Sequence, residues 1–444
     1  MYFATSIIIG LAFGSAIFAA FVLILRRKSN YIFGIYPEKG IFYRLKYPLA
    51  KQFVRYWRRK IFTEHENELN SVEYLQSLEK PQTLSSDPKS YDVVSFFGAN
   101  DKGYKFMITM ERRRRGITRA AFYLWIPNRG LLSSPNLPDM EHFTTDGNTE
   151  SEEFVANGFK IYPTECMRQW KITYNGAVKQ GHKRFDFKFD GIFASQLKHF
   201  DYNRDLSSSV IADSVARESW DDQFFHMVWN VDSILKNRTH YEQSGKINGT
   251  FQLGDEPQVQ LNLSSFRDHS VGTDRCLSSI YRYVYFALFL EDGTNLVVGI
   301  LSQPSFFLSS LKVGYICLAE GGGYDPITSC NFELYSYGER GFPPKHENFI
   351  VETKERRHFV QIKAEESAIR YVGGDWESKV YNQFVSCTVN GVKGHGIAEY
   401  LYRNKTGRSE AVAETDPKWY KEIKSFERSL SQRELADEWS GVVW

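Results

Sequence analysis

The sequence predicts a mainly β protein: two β modules in series, with an apolar N-terminal segment before them and a helical tail after them. Three observations carry this. From Tyr91 onward the chain runs in short β-branched and aromatic segments separated by Gly, Pro, Asn and Asp, the spacing of strands and turns in barrels and sandwiches. Aromatics make up 16% of the 444 residues, with 34 Phe and 26 Tyr, and such rings fit a half-buried pleated face. In "KRFDFKFDGIF", Phe185, Phe187 and Phe189 alternate with charged residues, which puts the three rings on one face of a strand.

At the N-terminus, Phe3 to Leu25, "FATSIIIGLAFGSAIFAAFVLIL", carries no charge and has the length of a bilayer-spanning helix. Arg26, Arg27 and Lys28 follow the segment instead of preceding it. That order argues for a retained transmembrane anchor over residues 1–28 and against a cleaved signal peptide. It also places the body in the cytosol, because Lys and Arg stay on the cytoplasmic side. The expectation is a single-pass membrane protein of the endoplasmic reticulum; use of the sequons at Asn237, Asn248, Asn262 or Asn404 would reverse that topology. Gly10 and Gly14 permit close pairing of two such helices into a homodimer.

Residues 29–90 read as a basic juxtamembrane region and linker. Residues 26–60 hold eleven Lys or Arg against the single acid Glu38. Leu49, Phe53, Trp57 and Ile61 recur every four residues, flanked by basic side chains. An apolar stripe in a basic helix lies in the headgroup plane, so Lys51, Arg55, Trp57, Arg58 and Arg59 are expected at a membrane surface. Packing of the same helix on the body is the alternative. A first β module is expected over 91–215, a second over 216–407, and a helical tail over 408–444.

The net charge is only +2, and the aromatics among basic residues form no stacking motif, so no nucleic-acid partner is expected. Five scattered cysteines without a CxxC argue against a zinc site and a disulfide framework. Neither a P-loop nor a GxSxG occurs. No metal and no cofactor is expected.

The densest polar stretch is "HYEQSGKINGTFQLGDEPQVQLNLSSFRDHSVGTDR", His240 to Arg275. Alternation sends Tyr241 and Gln243 to one face of a strand and His240 and Glu242 to the other; either pair could line a cavity. In "FRDHS", Asp268 and His269 could act as general acid and base, yet adjacent residues face opposite sides. Arg267 and Asp268, with Gly272 supplying a turn, could instead form a structural clamp, and this reading is preferred. It predicts that Asp268→Asn lowers the melting temperature strongly and His269→Gln much less. Glu399, in "VNGVKGHGIAEYLYRN", either faces a cavity or pairs with an arginine, and pairing is preferred.

"HYEQSGKINGTFQL", "FRDHSVGTDR", "YRYVYFALFLEDG" and "VNGVKGHGIAEY" resemble the β region that accompanies the phosphotransferase domains of animal phosphoenolpyruvate-synthase-like proteins. More distantly, they are similar to the tandem lipocalin-like superfamily of AttH-like, carotenoid hydratase-like and survival-factor proteins. The resemblance spans roughly Tyr91 to Gly407, without the phosphotransferase domains. It implies two consecutive lipocalin-like antiparallel β-barrels. A closed barrel of about eight strands can hold one small ligand, so Tyr241, Gln243, Phe185, Phe187 and Phe189 are expected to line a site for an apolar small molecule. The function so implied is a membrane-anchored protein that binds or shuttles a lipid. One alternative is a hydratase or isomerase acting on an isoprenoid or lipid, with Asp268, His269, Tyr241 and Glu399 as catalytic candidates. Another is a scaffold without chemistry.

Overall fold

The computed structural model describes residues 23–144, 153–231, 238–273, 277–319 and 323–425, with residue 429. The expected anchor lies outside them except for Leu23–Arg26, which is helical. Among the described residues no helix is long and apolar enough to cross a membrane.

Eight strands among the described residues close a barrel. They are β1 (Tyr91–Ala99), β2 (Lys105–Arg113), β3 (Ile117–Ile126), β4 (Gly130–Ser133), β5 (Gln169–Gln180), β6 (Lys183–Ala194), β7 (Arg238–Leu253) and β8 (Val259–Gly272). Each pairs antiparallel with the next, and β8 pairs with β1 to close the ring. A barrel this narrow is filled by its own side chains. Phe96, Phe106, Phe122, Trp170, Tyr174, Phe187, Phe189 and Phe251 pack into one core inside it. The three-ring face read from "KRFDFKFDGIF" is real, but Phe187 and Phe189 are buried in that core and Phe185 packs at its margin. The aromatic surplus builds a solid interior here, not a ligand cavity.

A second sheet curls into a half-barrel. Its strands are β9 (Arg282–Leu290), β10 (Asn295–Gln303), β11 (Leu308–Cys317), β12 (Tyr324–Pro326), β13 (Ser329–Cys330), β14 (His346–Glu352), β15 (Arg357–Val372), β16 (Ser378–Val389) and β17 (Val392–Arg403). The order is β12-β11-β10-β9-β17-β16-β15-β14-β13. The edge strands β12 and β13 do not pair; the two residues between them bridge the gap. Ile327 N donates to Gly314 O at 3.1 Å and Thr328 N to Glu352 O at 2.7 Å. The β16–β17 hairpin turns on Asn390-Gly391, both at positive φ, as a two-residue hairpin loop requires. Gly394 and Gly396 lie so close to β9 that a Cβ would sit 2.4 and 2.2 Å from the carbonyl oxygens of Phe289 and Ala287.

The change of sheet falls between Gly272 and Arg282, not near residue 215 as the sequence predicts. The helical break at 202–229 is an excursion from the barrel, and β7 and β8 return to it. The region 29–90 is likewise part of the body. Helix α1 (Tyr43–Arg58) packs on α3 (Ser208–Arg217), with Lys46 and Ala50 buried. Helix α2 (Val72–Glu79) ends on Glu79, which is 2% exposed. The tail is helical over 418–425 and docks Tyr420 against His142, ring centroids 4.6 Å apart.

Candidate functional site

The β7–β8 hairpin carries polar residues on both faces, and its register separates them. Gln243 lies opposite Arg267, Tyr241 opposite His269, Glu242 opposite Asp268 and His240 opposite Ser270. The first two pairs point into the barrel and the last two point out of it.

The inner set is a closed network. Arg267, 1% exposed, donates to Glu79 Oε1 at 2.6 Å and to Gln243 Oε1 at 3.0 and 3.1 Å. Its guanidinium also sits 5.2 Å from the centroid of Trp170. Glu79 accepts further from Trp170 Nε1 at 2.8 Å, Tyr241 Oη at 3.0 Å and Met167 N at 3.1 Å. His269 Nε2 lies 2.7 Å from Asp92 Oδ1, and its Nδ1 3.0 Å from Tyr241 Oη. Burial raises the Glu79 carboxyl, but the charge of Arg267 and the hydrogen bonds from Trp170, Arg267 and Tyr241 outweigh it and hold the group below its ordinary value. This is a stopper for one end of the barrel. The expected Arg267–Asp268 clamp does not form: Arg267 takes Glu79 as its partner, because Asp268 faces the other way. Tyr241, Gln243 and His269 belong to the stopper as well.

The outer set lines a cavity of about 1000 Å³ between the barrel, the second sheet and the helices. On the barrel side the ladder runs Glu242–Asp268–Ser95–Thr109, with Ser95 and Thr109 hydroxyls 3.0 Å apart. His240 Nδ1 meets Ser270 Oγ at 2.5 Å and its Nε2 lies 3.3 Å from Glu242 Oε1. Glu242 also accepts from Tyr285 Oη, and Tyr285 Oη is 3.4 Å from Tyr202 Oη. On the facing sheet Glu399 accepts from Arg370 and Asn382, both at 2.8 Å, and from Tyr283 Oη. Apolar side chains complete the lining, among them Val93, Phe97, Leu301 and Val313 from the sheets and Phe53 and Phe224 from the helices.

The electrostatics of this cavity are asymmetric. Burial, with the charges of Glu242 and Glu399 added, pushes the Asp268 carboxyl up to about 7, against an opposing pull from His240 and His269. No donor among the described residues holds that carboxylate. Burial pulls His240 down, but its hydrogen bond to Glu242 and the charges of Glu242, Asp268 and Asp201 leave it raised overall. Glu399 is raised by burial and lowered more by Arg370, Tyr283 and Asn382, so it stays ionised. Asp268 thus exchanges a proton near neutral pH, beside an imidazole that its acidic neighbours bias toward the protonated form, in a cavity lined mainly by apolar side chains, which suits general acid–base chemistry.

Of the four catalytic candidates, the structure brings Asp268 and Glu399 to the cavity and keeps His269 and Tyr241 inside the barrel. Glu399 both pairs with an arginine, Arg370, and faces the cavity. Ser270, Tyr202, Tyr283, Tyr285 and Arg370 were not singled out by the sequence. Alternation from Asp268 leads to Ser270, and "YRYVYF" places Tyr283 and Tyr285 on one face, but nothing local says which face meets a second body. Among the described residues no group of three His, Cys, Asp or Glu is placed to hold a metal ion. Of the expected membrane-surface residues, Arg55 and Arg59 are exposed and Lys51 is half-buried. Arg58 instead donates to the carbonyl oxygens of Asn203 and Leu206, and Trp57 turns toward the cavity.

Fold and site together define a two-body β protein with an acid-bearing apolar cavity between its bodies. Over residues 13–402 the chain matches, and so belongs to, a family of unknown function (DUF8627). None of the curated proteins matches it. Among solved structures it is similar to an AttH-like protein from Nitrosomonas europaea, at 12% identity and a TM-score of 0.47 over 73% of this chain and 98% of that one. It is also similar to kievitone hydratase from Nectria haematococca, at 12% identity and a TM-score of 0.42 over 72% of this chain and 90% of that one. A relationship to phosphoenolpyruvate-synthase-like proteins is not among these findings.

Proposed function

We propose that this protein binds an apolar small molecule in the cavity between its two β bodies and performs acid–base chemistry on it. The reaction class is hydration, dehydration or double-bond migration, in which one proton is delivered to the substrate and one is removed. Asp268 and His240 carry those two transfers, and the proton returns from one to the other after turnover. Ser270 and Glu242 orient the imidazole, while Tyr283, Tyr285 and the Arg370–Glu399 pair position polar atoms of the substrate. The observation that carries this reading is the placement of an unsupported carboxyl, Asp268, beside His240 in an enclosure lined mainly by apolar side chains. Ligand pockets commonly combine such walls with a few convergent polar groups.

A carrier without chemistry is the second reading, favoured by the length of the apolar lining from Phe53 to Val313. One experiment separates the two. The full chain is purified, its bound small molecules are extracted and identified by mass spectrometry, and the ligand is returned to fresh protein in deuterated water. An acid–base enzyme incorporates deuterium into ligand or product, and Asp268→Asn binds but does not exchange. Binding without exchange in the wild type supports the carrier. Absence of any bound apolar molecule defeats both readings.

A further inference from the structure

Helix α1 has two sides that are not buried in the same way. One side packs on the body through Lys46 and Ala50. Beside it runs a ridge of Leu45, Leu49, Phe53 and Tyr56, spaced by four, four and three residues and 39%, 40%, 37% and 62% exposed. Such spacing lines up one face of a helix. Leu49 and Phe53 also line the cavity, as does Trp229, which is 79% exposed at the end of α4 (Asp222–Trp229). Residues that belong to both the cavity and the outer surface form its mouth, and here the mouth is apolar.

Along α1 itself the charge is of one sign only, while Asp213 lies against Tyr43 at its N-terminal end and Asp222 is exposed at the start of α4. Arg44, Arg55, Arg59 and Lys60 are exposed, and Lys51 is half-buried. No acid occurs between Tyr43 and Lys60; Glu64, Glu66 and Glu68 begin beyond the end of the helix. The chain reaches the same cavity from its N-terminal side. Leu25 lines the cavity, and its carbonyl accepts from Trp220 N at 3.2 Å. Ahead of it stand the uncharged residues 3–22.

We propose that the α1 ridge and Trp229 rest on an anionic lipid bilayer and that the cavity opens onto that bilayer, so that its occupant is a membrane-resident amphiphile. An exposed apolar ridge bordered by arginine and lysine matches the interfacial region of such a bilayer in both polarity and charge. The occupant leaves the membrane past Leu49, Phe53 and Trp229 with its apolar part always covered. The lipid source rests on the cavity-binding reading above; the docking of the ridge does not.

The test uses the full chain in nanodiscs of phosphatidylcholine with or without phosphatidylserine. Nitroxides carried on an encoded keto amino acid at positions 53, 229 and 342 report collision with oxygen and with a water-soluble nickel chelate. Positions 53 and 229 should favour oxygen several-fold over position 342, which is exposed elsewhere on the body. With phosphatidylserine present, the combined variant Arg55→Glu, Arg59→Glu, Lys60→Glu should lose at least about tenfold in residence on the disc, since each basic residue contributes about fivefold at an anionic surface. A lipid carrying a diazirine in its acyl chain should cross-link to Leu301 and Val313 inside the cavity. Aqueous behaviour at 53 and 229 overturns the docking, whatever the cross-linking. Immersed labels without cavity cross-links overturn the bilayer as the source of the ligand. The cavity-binding reading itself fails separately, through the absence of any co-purified ligand.

Discussion

Arg267 and Glu79 meet at 2.6 Å with side chains only 1% and 2% exposed, although 188 positions separate them in the chain. The pair joins a barrel strand to the last residue of α2 and so locks a stretch that reads as linker into the fold. Glu79→Gln leaves a guanidinium buried without its counter-charge, and breaking a buried pair typically costs ~3–5 kcal/mol. The melting temperature of the full chain should fall sharply. Arg267→Lys should also destabilise, because an ammonium cannot span Glu79 and Gln243 as the planar fork does.

The same pair has a pH signature. The Glu79 carboxyl is held below its ordinary 4.5 in the folded chain. Its stabilisation is therefore fully present above about pH 4.5 and is lost as pH falls through the lowered folded-state value. Denaturation midpoints of wild type and Glu79→Gln should differ most near neutrality and converge in acid. Parallel curves would show that Glu79 contributes by packing alone.

His269 should behave as a structural residue. It is fully buried, and its two ring nitrogens reach Asp92 and Tyr241 at 2.7 and 3.0 Å. Glutamine can satisfy one of these partners, not both. A lost buried hydrogen bond typically costs ~1–3 kcal/mol, so thermal unfolding of His269→Gln should move down by a corresponding amount. This reverses the small effect expected when "FRDHS" is read as an Arg267–Asp268 clamp.

Those reversals mark where the sequence is legible. Alternation correctly separates Tyr241 and Gln243 from His240 and Glu242, and His269 from Asp268, because a strand fixes which residues share a face. It does not say which face is inside. That depends on which strands pair, and β8 pairs with β1 across more than 160 residues of chain. The change of sheet is hidden for the same reason: the polar helices at 202–229 look like a boundary, but the chain re-enters the barrel after them. Aromatic composition cannot distinguish a filled barrel from a hollow one, so Phe185, Phe187 and Phe189 read as ligand-lining in the sequence although they pack in and against the barrel core. The cavity lies between bodies, and no local pattern encodes that.

Asp268→Asn should leave the protein at least as stable as wild type at neutral pH and above. The Asp268 carboxyl is raised from its ordinary 3.8 to about 7 in the fold. For an acid raised in this direction, folding is progressively penalised as pH climbs from the unfolded value to the folded one. The penalty has an upper bound of ~4.5 kcal/mol, from about 1.4 kcal/mol per pH unit, and water in the cavity reduces it. Asparagine removes the ionisation and with it the penalty. Urea unfolding at pH 8 should show no loss for the variant, while deuterium exchange into the ligand disappears. A strong drop in stability would return Asp268 to a structural role.

The proton affinity of Asp268, raised chiefly by burial, should respond across the cavity to Glu399. The two carboxyls sit on different bodies, and the Glu399 charge is one of the influences that raise Asp268. Glu399 is ionised because Arg370, Asn382 and Tyr283 all donate to it. Glu399→Gln removes a negative charge and leaves Arg370 uncompensated nearby, and both changes favour the ionised form of Asp268. The carboxyl of Asp268, followed by carbon-13 NMR in protein labelled at aspartate and assigned with Asp268→Asn, should then titrate below its wild-type midpoint near 7. The high-pH limb of ligand exchange should move down by the same interval. Arg370→Gln tests the sign: it leaves Glu399 without its cation, raises the Glu399 pKa, and lessens the charge that Asp268 feels only where Glu399 becomes protonated. At pH values where Glu399 remains ionised, loss of the cation should push the Asp268 midpoint up, opposite to Glu399→Gln. Midpoints that move together in the two variants, or not at all, would show that the walls of the cavity act independently.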